Sequence, residues 1–191
     1  TGREVADAIR VRGTLEGMAA RTLAEQGAPR ALLRELHECL QDGDLAVNKP
    51  TMELDDYALY VEMNSRFHAA IVQGSGNLAL QRAIGMLNGQ PFAAASAMLP
   101  MQSSFEEGHQ WMKQAQRQHH AIVQAIENGQ GYRVQALCEE HVEIACMNLE
   151  YALERPEEAA EHLPGIHLVA PAGHASFADG EPRRRGARGA R

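Results

Sequence analysis

The chain has 191 residues, of which 45% are hydrophobic, 23% charged and 5% aromatic, and its formal net charge is −7. This length is sufficient for one domain with its own core, and the residue usage is typical of helices. No apolar run reaches the roughly 18 residues that span a bilayer, which excludes an integral membrane protein. The three cysteines lack metal-binding or disulfide spacing, so we predict a reduced, cytoplasmic setting.

The charge is unevenly distributed along the chain. Five of the 18 basic residues lie in the last nine positions, RRRGARGAR. The formal charge of residues 1–182 is therefore −12, five units more negative than that of the whole chain. A body this acidic repels phosphate backbones, so we do not expect it to bind nucleic acid.

Turn residues divide the first 154 positions into six predicted helices, at about 4–26, 29–46, 52–73, 78–98, 104–127 and 132–153. Gly85, Gly89 and Pro91 predict a kink or break in the fourth helix. Ser103 or Ser104 is the expected cap of the fifth helix. The pattern indicates an antiparallel all-α bundle over 1–154, followed by a loose C-terminal extension over 155–191 that ends in the arginine-rich tail.

Three of the predicted helices each place a histidine in the middle of an apolar stripe. These are His68, which follows Asn64 by one turn, His119 and His141. A single histidine on an apolar face is usually a core residue that hydrogen-bonds to the backbone. Three on neighbouring helices also fit a shared divalent metal, with the Asn64 oxygen as a fourth ligand and a position open for water or an anion. Both interpretations stay open on spacing alone.

Two classes of enzyme use histidines in helical bundles of this kind. A metal-dependent hydrolase would use the open metal position to activate water, but we expect no inward carboxylate beside the histidines to act as a base. A di-iron oxidase needs two Glu-x-x-His pairs on facing helices, and only residues 106–109 have that spacing. We therefore predict that the chain is not an enzyme, with a metal-free structural dimerisation module as a further alternative.

Four segments resemble one known family. NSRFHAAIVQGSGN at 64–77 resembles the D/N-x-x-F-H-x-x-I/L…S-G-N signature of the FCD domain, the effector-binding and dimerisation domain of FadR-type regulators in the GntR family. RGTLEGMAA at 12–20 resembles its R-x-x-L/I-E-x-x-A-A motif, HHAIVQAIENG at 119–129 its H-x-x-I-x-x-A-I-x-x-G-D motif, and ALCEEH at 136–141 its A…H motif. The resemblance covers about residues 4–153.

The resemblance implies a homodimeric transcriptional regulator with a divalent metal, often zinc, nickel or manganese. Carried over by position, its ligands are Asn64, His68, His119 and His141, with Asn64 in place of the aspartate that many members have. The family's winged helix-turn-helix, which binds DNA, precedes this domain. Nothing in the sequence corresponds to it, so we expect Thr1 to follow it directly.

The resemblance also implies a small organic acid as effector, bound near the metal. We expect Arg12 to pair with its carboxylate, because the family counterpart of this arginine faces the pocket. An apolar wall is expected from Phe67, Phe92, Met98 and Trp111, with Met101 and Gln102 nearby. Such a wall would favour an aromatic acid. Ligand binding would then shift the arrangement of the helices and of the two subunits.

Overall fold

A computed structural model of the chain describes residues 1–103 and 107–170, and for residues 101 and 103 the backbone alone. Its α-helices are α1 (Gly2–Gln26), α2 (Arg30–Val47), α3 (Leu54–Gly74), α4 (Leu78–Asn88), α5 (Gly108–Glu127), α6 (Gly131–Glu154) and the short α7 (Pro156–Ala159). Two 3-10 turns cover Leu99–Ser103 and Ile166–Leu168. The described ranges contain no strand, which confirms the all-α prediction.

Helix α1 lies at the centre of the bundle and contacts α3, α4, α5 and α6. Its closest partner is α6, and this close approach depends on small residues. The Cα of Gly13 faces the side chain of Val142, and Gly17 lies directly against the backbone of Gln135. Because glycine has no Cβ, the two helix axes approach closely enough for α1 to reach the middle of the molecule.

Two predicted helix boundaries were wrong. The fourth helix ends at Asn88, at the break that Gly89 and Pro91 predicted, but it does not resume toward residue 98: residues 89–98 form turns in which Phe92 adopts a left-handed φ of 62°. Pro91 accounts for this end, because a proline disfavours helical backbone at the preceding residue. The fifth helix begins at Gly108, after Glu107, and Ser103 belongs to the 3-10 turn; Ser104 lies outside the described residues.

Part of the predicted loose extension packs against the bundle. Ala159, Leu163 and Ile166 are buried in a second apolar cluster with Val5 and Ile9 of α1. The backbone N–H of Gly2 also donates to the carbonyl of Val169, at 2.7 Å. These apolar residues recur at short intervals, and this pattern explains the packing. The high content of Pro and Gly had instead suggested a loose segment. Residues 171–191, with the arginine-rich tail, lie outside the described residues.

Within those described ranges, no helix combines the length and the apolar character that crossing a membrane requires.

Candidate metal centre

His68 of α3, His119 of α5 and His141 of α6 come together in the centre of the bundle. All three side chains are buried, and each offers a ring nitrogen that lies within 4.8 Å of those of the other two. The Nε2 atoms of His119 and His141 are 3.2 Å apart. The structure thus brings together the three histidines that the apolar stripes predicted.

The Nδ1 atom of each of these histidines faces a side-chain oxygen. The pairs are His68 with Glu16 Oε2 (2.7 Å), His119 with Gln116 Oε1 (3.2 Å) and His141 with Gln118 Oε1 (2.9 Å). An oxygen acceptor on Nδ1 favours the tautomer that carries its proton there. The lone pair is then on Nε2, the nitrogen that faces the other histidines.

The orientation of the two glutamine amides supports this tautomer assignment. Gln116 Nε2 donates to the carbonyl of Leu40 (2.9 Å) and to the carboxylate of Asp44 (3.0 Å). Gln118 Nε2 donates to the carboxylate of Glu140 at 3.3 Å. Because each amide nitrogen already faces an acceptor, each amide oxygen must face the imidazole. That imidazole nitrogen is therefore the donor.

His119 and His141 consequently place two lone pairs opposite each other. Burial, together with the neighbouring histidines, lowers the pKa of His119 well below its ordinary value, and burial lowers the pKa of His141 to about 3. Both rings are therefore neutral at neutral pH, with no proton between the two Nε2 atoms. A cation that accepts both lone pairs removes this unfavourable contact, so the donor set fits a divalent metal such as zinc.

Glu16 of α1 is a site residue that the sequence analysis missed. Its buried carboxylate accepts from His68 Nδ1 and, at 2.9 Å, from Arg12 Nη1. Burial alone would raise the pKa of Glu16, but the positive charge of Arg12 and the hydrogen bonds from Arg12 and His68 lower it to about 2. The expectation that no carboxylate faces the histidines was therefore wrong. In the sequence, the position of Glu16 one turn after Arg12, in the segment that resembles the family motif, was the feature that could have identified it as a site residue.

Asn64, the fourth expected metal ligand, lies one turn before His68 on α3. Its amide nitrogen donates to the carbonyl of Ala95 (3.2 Å) and to Ser96 Oγ (3.1 Å). These bonds fasten the turns of residues 89–98 to α3. They leave Oδ1 as the side-chain atom of Asn64 that is able to bind a cation.

A small cavity of about 30 Å³ lies beside the histidines, and Arg12, Asn64, His68, Met98 and His141 line it. Three buried polar atoms in its lining residues make no hydrogen bond to any described protein atom: Arg12 Nε, Gln102 Oε1 and Asn148 Oδ1. The volume suits one or two water-sized groups. Its walls therefore combine one cationic donor with two acceptors.

The expected aromatic residues do not line this cavity in the described part of the chain. Phe67 packs on the ring of His119, with 4.4 Å between ring centroids, and Phe92 belongs to the second apolar cluster. Trp111 meets the ring of Tyr151 edge to face, at 6.2 Å. Of the five expected ligand-binding residues, Arg12 and Met98 line the cavity, as does Gln102. The side chain of Met101 lies outside the described part.

Comparison with known protein families matches residues 7–144 to the FCD domain. The comparison with curated proteins finds no match. The matched segment is well over half of the chain and contains Arg12, Glu16 and the three clustered histidines. FCD domains are the C-terminal, effector-binding domains of GntR-family regulators. On the match, the all-helical fold and the buried histidine cluster together, this chain belongs to the FCD domain family.

Proposed function

We propose that this domain senses a small organic acid at a divalent-metal centre and thereby controls the DNA binding of a GntR-type regulator. The observation that carries the proposal is the convergence of His68, His119 and His141. Each ring is held through Nδ1 by a separate side-chain oxygen. Packing alone does not require this arrangement, whereas second-sphere acceptors on Nδ1 are the usual support of histidine metal ligands.

The proposed metal ligands are Nε2 of the three histidines, with Asn64 Oδ1 as the fourth. Zinc suits this donor set best, and nickel or manganese are alternatives. A bound ion supplies a positive centre to which an oxygen of the effector coordinates. Asn64 adds no negative charge, so the site attracts an anionic ligand more strongly than one with an aspartate there.

Arg12 is the proposed partner of the effector's carboxylate. Its guanidinium is buried, Nη1 is bonded to Glu16, and Nε lies in the wall of the 30 Å³ cavity without a partner among the described residues. Gln102 Oε1 and Asn148 Oδ1 in the same wall are suited to accept from a hydroxyl group. These groups favour a small hydroxylated acid, and no Phe, Tyr or Trp among the described residues lines this cavity to stack on an aromatic acid.

Effector binding must enlarge this cavity, because its volume holds only one or two water-sized groups. We propose that the part of the wall that moves is the segment of turns and 3-10 helix that carries Met98 and Gln102. A ligand that binds only the enlarged state shifts the population toward it. We propose that a homodimer transmits this shift to DNA-binding domains N-terminal to α1.

Glu16 does not make a hydrolase a better proposal. A general base needs a free oxygen and a pKa near the working pH. One Glu16 oxygen accepts from Arg12 and the other from His68, and its pKa is lowered to about 2. The carboxylate is therefore suited to holding these two residues in place.

Thermal melting of zinc-loaded and chelator-treated protein, with a panel of small carboxylic acids, tests the function. A binder at 100 times its Kd stabilises by about 2.7 kcal/mol, which raises Tm by several degrees. We expect one class of acid to raise Tm only in the zinc-loaded protein, and Arg12→Gln to abolish the rise. A rise that survives both chelation and Arg12→Gln would contradict the proposal.

A further inference from the structure

Helix α2 carries none of the three clustered histidines, yet it is connected to one of them through the side chain of Gln116. This buried residue of α5 precedes His119 by one turn, and its amide lies between α2 and the His119 ring. The amide nitrogen donates to two groups of α2, the carbonyl of Leu40 (2.9 Å) and the carboxylate of Asp44 (3.0 Å). The amide oxygen accepts from His119 Nδ1 at 3.2 Å. Gln116 therefore joins His119 to α2.

Gly43 of α2 leaves the space in which this amide lies. A Cβ built on Gly43 would collide with the amide group of Gln116, at 2.6 Å from its Cδ and Nε2 atoms, which is closer than Cβ atoms in proteins approach other atoms. The backbone at Gly43 is ordinary α-helix, which any residue adopts, and glycine is unfavourable inside a helix. The close approach of the Gln116 amide therefore accounts for the glycine at this position.

The two sides of this space require opposite hydrogen-bonding groups. Helix α2 presents two acceptors, Leu40 and Asp44, so the group that faces it must be a donor. Asp44 is itself held in place, because both of its oxygens lie 3.0 Å from Nε2 of His120 on the surface. An amide donates through its nitrogen and accepts through its oxygen. Helix α2 thus fixes the orientation of the Gln116 amide and directs its oxygen at His119.

Packing around the His119 ring does not determine which of its nitrogens carries the proton. The ring lies against Phe67, with 4.4 Å between centroids, and is stacked with Tyr60 at 6.5 Å. Such contacts hold the plane of an imidazole but do not distinguish its two neutral tautomers. Without an acceptor at Nδ1, the proton is better placed on Nε2, where it donates to His141 Nε2 at 3.2 Å. That tautomer has no lone pair on the nitrogen that faces the cluster.

From these contacts we propose that Gln116 is a positioning residue for the metal centre. Held by α2 in the space that Gly43 leaves, its amide keeps the proton of His119 on Nδ1 and leaves the Nε2 lone pair free for a metal ion. The proposal rests on the metal centre proposed above and makes α2 a part of it. Metal binding and the packing of α2 on α5 are then coupled, because both depend on the same amide.

Two measurements on the 191-residue protein test this role. Nitrogen-15 NMR of the histidine rings, in chelator-treated protein, identifies the protonated nitrogen of each neutral imidazole, and the signals of His119 are assigned from their loss in His119→Ala. A zinc titration gives the affinity. We expect the His119 proton on Nδ1 in the parent protein and on Nε2 in Gln116→Met. Gly43→Ala should have the same effect, because its methyl group displaces the amide. Both variants should bind zinc about 10–100-fold more weakly.

Each variant has a matched control. Gln114→Met makes the same change at an exposed position of α5. Gly85→Ala adds a methyl group to a helical glycine of α4, where no described atom lies within 4 Å of the new Cβ. Both controls should keep the parent tautomer of His119 and leave the zinc affinity within about twofold.

The proposal is overturned if His119 of the chelator-treated parent carries its proton on Nε2. It is also overturned if either measurement, the tautomer or the zinc affinity, gives the parent value in both Gln116→Met and Gly43→Ala. A parent protein that binds no zinc would instead refute the metal centre itself. The failure of this proposal and the failure of the proposed function are therefore distinguishable.

Discussion

At the scale of single residues, the centre of the domain depends on Glu16. Its two oxygens hold Arg12, the proposed effector ligand, and His68, a proposed metal ligand. Removing the carboxylate from a buried arginine strongly destabilises the fold, because the charge is then neither hydrated nor paired. Glu16 therefore contributes both to stability and to the orientation of the site.

Glu16→Gln should destabilise the domain by about 3–5 kcal/mol, because it leaves the buried Arg12 charge unpaired. It should also weaken zinc binding by about 10–100-fold, through the lost support of His68. Urea unfolding and a zinc titration measure the two effects. Glu143→Gln is the control: Glu143 pairs with Arg10 at the surface, both about half exposed, and its loss should cost less than about 1 kcal/mol. Equal effects of the two variants would refute this role for Glu16.

The buried histidines should make the stability of chelator-treated protein depend on pH. A histidine in the unfolded chain titrates near pH 6.5, whereas burial lowers the pKa of folded His141 to about 3. Between these values the unfolded state binds the extra proton, so stability is complete above about pH 6.5 and falls as the pH decreases toward 3. The slope is about 1.4 kcal/mol per pH unit for each such group.

Urea unfolding of the chelated protein between pH 7.5 and 5 measures this slope. His119, whose pKa is also lowered, should make this slope steeper, while protonation of Glu16 lowers the free energy of unfolding only below pH 4.5. The variant His141→Gln should show a shallower decline than the parent protein. A stability that is flat over this window would mean that the histidines are not buried as neutral rings.

At the scale of elements, helix periodicity predicted the residues that meet and most of the helix ends, but not the end of α4 or the start of α5. Apolar spacing on three helices was sufficient to place His68, His119 and His141 in the centre. Glu16 was missed because a charged residue on α1 is ordinarily solvent-exposed, and only the pairing with Arg12 and His68 explains its burial. Phe67, Phe92 and Trp111 were assigned to a cavity wall because apolar spacing does not distinguish core from pocket.

The C-terminal segment illustrates the same limit. Its composition indicated a loose extension, yet α7 and the following 3-10 turn pack on α6 and share an apolar cluster with the N-terminal part of α1. Ile166→Ala should destabilise the domain by about 2–5 kcal/mol, because Ile166 is fully buried. Leu168→Ala, at a residue that is 79% exposed, should stay within about 0.5 kcal/mol of the parent protein. Equal unfolding midpoints for the two variants would contradict the packing of this segment.

At the scale of the whole molecule, one helix connects the proposed effector site with the packing of the bundle. Helix α1 carries Arg12 and Glu16, packs closely on α6, and shares an apolar cluster with the C-terminal segment through Val5 and Ile9. A ligand bound at Arg12 therefore acts directly on this helix. This arrangement suits a sensor domain, in which occupancy of a small site must change the position of a whole element.

The central claim is that the three histidines bind a divalent metal. A zinc titration of chelator-treated protein against a competing chromophoric chelator tests it most directly, with His119→Ala and His37→Ala compared in parallel. His37 is exposed on α2, where it pairs with Glu127 at 2.8 Å, and it is not one of the three clustered histidines. We predict one zinc per chain, lost in His119→Ala and unchanged in His37→Ala. Equal zinc binding by the two variants, or none by the parent protein, would contradict the account.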